Sequence, residues 1–123
     1  MKTAGARKGL GRAAEHAAAL FLKSLGYTII DRNFSTRAGE LDIIALDGQM
    51  LCFVEVRSRA AADGAPPYAT VNPAKQARVR AAASVYLAAR RLHNPLCRFD
   101  VVSAVPDQAE KSGWSLQLFR DAF

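Results

Sequence analysis

The chain has little cysteine and little histidine: two of each in 123 residues. Cys52 and Cys97 form no Cys-x-x-Cys pair, and His16 and His93 sit in unrelated contexts, which argues against a zinc centre. Two isolated thiols inside predicted strands read as small buried hydrophobes of a reducing compartment. Long apolar runs are also absent. The basic start (Lys2, Arg7, Lys8) is not followed by an apolar stretch, and the Ala-rich run after Glu15 carries Lys23 and is too short for a span. Neither a signal peptide nor a membrane helix is expected, and the protein is expected to be cytoplasmic. There are no repeats, no low-complexity tracts and no linker marking a second domain. No aromatic motif for stacking unpaired bases is present. Acidic residues are in deficit, 11 against 17 Lys and Arg, for a net charge of +6. That excess favours a polyanionic partner and says nothing about fold.

Half the residues are hydrophobic, enough for one globular domain with a single core. Residues 1–9 read as a flexible basic arm and 10–123 as the domain. The most informative stretch is 39–59, G-E-L-D-I-I-A-L-D-G-Q-M-L-C-F-V-E-V-R-S-R. Two short apolar runs rich in branched and aromatic residues flank an Asp47-Gly48 turn signal, which predicts a β-hairpin. Into this hydrophobic pair the sequence places Glu40, Asp42, Glu55 and Arg57, although carboxylates are rarely buried without a partner. A two-residue Asp47-Gly48 loop sets Asp42 diagonally from Glu55. A four-residue loop sets Leu46 opposite Leu51 and Asp42 directly opposite Glu55. Either way the two carboxylates share a face, roughly 5–8 Å apart at Cβ. A three-residue loop with a bulge would send them to opposite faces. Two such carboxylates suit a divalent cation with hard oxygen ligands. They equally suit an ion-pair cluster with Arg57 and Arg59.

Elsewhere, apolar residues at helical spacing (Leu10, Ala14, Ala17, Ala18, Phe21, Leu25) predict a helix over 10–25, stopped by Gly26. Glu15 lies beside that stripe. A first strand is expected over 27–34. Residues 60–72 read as a long loop, either a flap over the Asp42/Glu55 face or a surface excursion. Asn72-Pro73 opens a helix running to about Arg91, since Asn suits the N-cap and Pro the first helical position. Its apolar side is Val79, Ala82, Ala83, Tyr86, Leu87 and Ala89. Lys75 stands in its first turn, where a cation meets the wrong end of the helix dipole; a nearby anion would offset that cost. Strands over 96–105, containing Asp100, and 114–119 complete the order α-β-β-β-α-β-β. This predicts an α/β domain with a mixed sheet flanked by helices, the second helix making the crossover to a parallel strand. Asp100 is expected to pair with an arginine.

Several blocks, in order along nearly the whole chain, resemble the YraN family of small bacterial proteins: G-E-L-D-I-I at 39–44, F-V-E-V-R-S-R at 53–59, Lys75, R-F-D-V-V at 98–102, Asp31-Arg32-Asn33-Phe34, and Gly11 with Glu15. That family is similar to the restriction-endonuclease-like, or PD-(D/E)xK, nucleases, especially archaeal Holliday-junction resolvases. The resemblance implies a Mg²⁺ or Mn²⁺ site in which Glu15 matches the helix carboxylate, Asp42 the central Asp and Glu55 the motif Glu, with the carbonyl of Val56 as a further ligand. Arg57 stands where the motif Lys is expected. Arginine stays protonated and cannot deprotonate water, but it can hold a phosphate or stabilise developing charge. Water acidified by the ion would then be the nucleophile, and Lys75 would supply a second cation.

The implied function is a metal-dependent endonuclease acting on DNA, including branched DNA, with Asp42, Glu55, Arg57 and Lys75 catalytic. Arg59, Lys75, Arg78 and Arg80 are candidates for nucleic-acid backbone contacts. The resolvase likeness also implies a homodimer. Two alternatives stand beside it: a non-catalytic nucleic-acid-binding protein that retains the nuclease fold, and an interaction protein whose acidic cluster is structural.

Overall fold

The computed structural model describes residues 4–59 and 71–123. The elements follow the expected order: α1 (Ala4–Ser24), β1 (Thr28–Ser35), β2 (Glu40–Asp47), β3 (Met50–Ser58), α2 (Pro73–Ala89), β4 (Cys97–Pro106) and β5 (Trp114–Phe119). The strands form one sheet in sequential order, β1-β2-β3-β4-β5. Neighbours are antiparallel except β3 and β4, which run parallel. A parallel pair needs a crossover connection, and α2 lies in it. The result is an α/β fold with a mixed sheet.

The two helices cover opposite faces, as strand alternation dictates. Ala18, Ala19 and Leu22 of α1 pack on Ile43, Ala45, Cys52, Val54 and Val102. Val79, Ala82, Ala83 and Tyr86 of α2 pack on Ile44, Leu51 and Phe53. Helix α1 starts at Ala4 and so takes in residues 4–9, which the sequence assigned to a flexible arm. Leu25, expected on its buried stripe, is exposed. The helix has already ended, and Gly26 at φ +95° turns the chain out of it. At α2, Oδ1 of Asn72 accepts the Lys75 N–H at 2.9 Å and Pro73 opens the first turn, as expected. The helix ends at Ala89, which is exposed. Cys52 is buried, and burial pushes its thiol up to about 12. Cys97 is exposed, against expectation, because it opens β4 at the sheet's end. The loop expected over 60–72 falls, for 60–70, outside the described residues.

Asp100 does pair with an arginine. It is fully buried. Arg98 donates from Nε to its Oδ1 at 2.8 Å and from its terminal nitrogen to Oδ2 at 2.9 Å. The Tyr27 hydroxyl and the Asp121 N–H, both at 2.9 Å, complete the shell. Arg98 also reaches Asp47 at 3.0 Å. This network ties Tyr27 just before β1, the end of β2, β4 and the C-terminal residues together at one end of the sheet.

At the other end, the turn entering β2 presses on α2. A Cβ added to Gly39 would stand 2.9 Å from the Arg78 carbonyl oxygen and 3.2 Å from the Arg78 Cβ. Backbone cannot swing aside as a side-chain tip does, so Gly39→Ala is expected to cost about 1–3 kcal/mol by overpacking. Urea unfolding reads this directly. An unchanged midpoint would mean that α2 can retreat freely from the turn.

Candidate functional site

The hairpin register decides whether the buried charges meet. Leu46 pairs with Leu51 and Asp47 with Met50, so the turn is Gly48-Gln49. This is the register that sets Asp42 across from Glu55, closed by a tighter turn than expected. The ladder's last pair is Ile43 with Val54; Asp42 and Glu55 come next in line, where the strands part. There the Val56 N–H donates to Asp42 Oδ2 at 2.9 Å. The carboxylate thus takes the place of a backbone acceptor. Side-chain alternation also breaks here: Leu41 packs with Ile44 under α2, whereas Ile43 between them faces α1.

Glu55 lies on the α2 face, two residues after Phe53, and is 1% exposed. Its Oε1 meets Lys75 Nζ at 3.3 Å. That contact explains the lysine in the first turn of α2, since the carboxylate offsets the unfavourable helix dipole. The other oxygen, Oε2, is buried and has no hydrogen-bond partner. Buried polar atoms are almost always paired, and an orphan on a carboxylate asks for a cation or a proton. The neighbouring charges say the same. Burial, and then Asp42, push Glu55 up to about 7. Burial likewise raises Asp42, against the lowering influence of the Val56 N–H and Lys75. Partly buried Glu15 is pushed up to about 7, by burial first and Asp42 second. Burial is thus the main reason that all three carboxyls resist ionisation, with their mutual repulsion adding to it for Glu15 and Glu55.

Among the described residues, no group of three or more His, Cys, Asp and Glu side chains converges as a ready-made cage for an ion. Asp42 and Glu55 come together with Lys75; Glu15 stands within electrostatic reach of Asp42. Two carboxylates with further positions left to water and phosphate suit Mg²⁺ or Mn²⁺, which dehydrate reluctantly. The orphaned Glu55 oxygen is what such an ion would take up, so the donor set fits.

The remaining expected residues are placed as follows. Arg57 follows Glu55 on the same face of β3, and its charge acts on Asp42. Val56 contributes its N–H, to Asp42. Arg59 extends the β3–β4 pairing, donating its N–H to Ala104 at 2.9 Å. Arg78 is exposed beside Gly39. Arg80 lies over the Phe99 ring at 4.7 Å and the Phe123 ring at 5.6 Å. One neighbour of the cluster escaped the sequence: Arg32 on β1, whose charge reaches Glu15. Its place in a sheet strand, immediately after an aspartate, gave no sign of which way it points.

Fold and site together define a class: an α/β protein whose buried carboxylate–lysine cluster occupies the splayed end of a β-hairpin. The profile of the uncharacterised protein family UPF0102 matches residues 14–104, a span that holds the whole cluster, and the chain belongs to that family. A UPF0102 protein of Chlorobium phaeobacteroides (strain BS1) is 46% identical over 96 residues, 78% of this chain and 76% of the relative. One of Symbiobacterium thermophilum is 48% identical over 97 residues, 79% and 82% of the two chains. One of Anaeromyxobacter sp. (strain Fw109-5) is 41% identical over 120 residues, 98% and 88% of the two chains. No helix among the described residues is long and apolar enough to cross a membrane.

Proposed function

We propose that this protein is a divalent-metal-dependent endonuclease of the restriction-endonuclease-like superfamily, hydrolysing phosphodiesters of DNA, branched DNA included. The observation that supports the reading is Glu55: a carboxylate buried in a hydrophobic sheet, one oxygen on Lys75, the other unpartnered, with Asp42 beside it. A divalent cation at that oxygen would satisfy it and neutralise the pair. Bound Mg²⁺ or Mn²⁺ would supply Lewis acidity toward the phosphate and a nucleophile at neutral pH.

The chain's own residues divide the remaining work. Asp42 and Glu55 would hold the ion, with the Val56 carbonyl as a further oxygen. The Val56 N–H fixes the Asp42 carboxylate, so the two ligands are held at a set spacing before substrate arrives. Lys75 brings its amine to Glu55 from the helix. It meets the need left by Arg57, which as a guanidinium keeps its proton and acts through charge on the phosphate. Arg78, exposed beside the site, is suited to a backbone phosphate contact that fixes register without reading bases.

Nicking of a labelled panel (duplex, flap, four-way junction, single strand) with Mn²⁺, beside EDTA and the Asp42→Ala variant, tests this. Cleavage that vanishes in both controls is the expected result. Binding that persists with no cleavage of any substrate would instead identify a nucleic-acid-binding protein on the same fold.

A further inference from the structure

Two buried side-chain polar atoms among the described residues have no hydrogen-bond partner: Glu55 Oε2 and Arg32 Nε. The first belongs to the site above, and the second has no role there. Arg32 lies on β1 directly across from Ile43, next to the Asp42 position. Residues directly opposite in an antiparallel pair share a face, and Ile43 faces α1. There the Arg32 charge reaches Glu15, yet its Nε makes no bond to that carboxyl. Glu55 and Lys75 meet on the other face, under α2. Asp42 therefore stands between a buried donor and a buried acceptor, each unpaired. Orphaned buried groups of this kind are rare and costly in native structures. Their characters are opposite: the carboxylate oxygen asks for a cation and the guanidinium nitrogen for an anion. A cation–phosphate pair seated at Asp42 satisfies both.

Building on the endonuclease reading, we propose that Arg32 is a positioning residue that binds a non-bridging oxygen of the substrate phosphodiester from the α1 side of Asp42. Lys75 and Arg57 approach the same phosphate from the α2 side. A guanidinium suits this role, because its planar fork of donors matches phosphate oxygens and it stays charged in a partly buried setting. No bond is made or broken at Arg32; it fixes where the phosphate sits relative to Asp42 and Glu55.

Arg32→Gln and Arg32→Lys test this, with three readouts on the full chain. The first is the dissociation constant for a labelled duplex and four-way junction with Ca²⁺ in place of Mn²⁺, across a salt series. The second is single-turnover cleavage with Mn²⁺, and the third is Tm. For Arg32→Gln, affinity is expected to weaken about tenfold and the logarithmic salt slope to shrink by about one. Single-turnover cleavage should fall by at least as much, and Lys should restore part of both. Tm should hold or rise, since a buried unpaired donor has been removed. A fall in Tm with affinity and rate unchanged would make Arg32 a scaffold residue and overturn the inference. Equal cleavage by wild type and Arg32→Gln would sink it alone. A wild type that neither binds nor cleaves would sink the endonuclease reading, and this inference with it.

Discussion

Arg98→Ala is expected to destabilise the protein by about 3–5 kcal/mol, the loss that follows when one partner of a buried ion pair is removed. The substitution takes two hydrogen bonds from Asp100, at 2.8 and 2.9 Å, and leaves its carboxylate fully enclosed. It also releases Asp47 from its 3.0 Å contact, so the end of β2 loses its tie to β4. Tyr27 and the Asp121 N–H remain, and neither carries a positive charge. The tyrosine stays a donor throughout the working range, since burial and Asp100 push its hydroxyl up to about 12. Urea denaturation measures the effect. Arg98→Lys should recover part of the loss, because it restores the charge without the fork. Wild-type stability in Arg98→Ala would show that Tyr27 and Asp121 hold the buried carboxylate by themselves.

At the other end of the sheet the expectation reverses. Glu55→Gln should abolish Mn²⁺-dependent cleavage and yet stabilise the metal-free protein near neutral pH. Burial first, and Asp42 next, raise the Glu55 carboxyl from 4.5 to about 7. The folded protein thus binds this proton more tightly than the unfolded chain does. The associated stability is complete below about pH 4.5 and is lost as pH climbs through about 7. Glu15 shifts the same way, by a smaller contribution because it is partly solvated. Metal-free wild type should therefore lose about 2–3 kcal/mol between about pH 5 and about pH 7.5. That corresponds to a Tm drop of roughly 10 °C. Glu55→Gln should flatten most of that slope. Mg²⁺ should raise the wild-type Tm at the higher pH far more than at the lower, where protons compete for the same oxygens. A level pH profile in the metal-free wild type would mean that Lys75 alone compensates Glu55, and the case for a cation at the orphaned oxygen would go.

The element order could be read from the chain because each strand is short, rich in branched residues and bounded by turn residues, while each helix carries one apolar stripe. The hairpin was legible from Asp47-Gly48, but its register was not: loops of two, three and four residues all fitted the pattern, and the pairing of Leu46 with Leu51 through a Gly48-Gln49 turn is a finding of the structure. Lys75 announced itself by standing where a helix dipole disfavours a cation. Asp100 did so as a charge between Phe99 and Val101-Val102, although which arginine pairs with it emerged only in the structure. What escaped depended on contacts distant in sequence. The start of α1 is rich in glycine and basic residues and lacks a stripe of its own. The exposure of Leu25 and Cys97 depends on where elements end, which pattern fixes only to a residue or two. Arg32 looked like an ordinary polar residue of a sheet strand until the register placed it beside Asp42.

The sheet's sequential strand order has a consequence in time. Strands β1, β2 and β3 form a meander joined by short turns, and they carry Arg32, Asp42, Glu55 and Arg57. Short loops close at a smaller entropic cost than long ones, so this meander is the part that can pair earliest. Lys75 reaches Glu55 only when α2 has docked on the completed hairpin, and β4 joins β3 only through that same crossover. In that order, the carboxylates of the meander would meet before their compensating amine arrives. A cation bound at that early stage would act as a folding template.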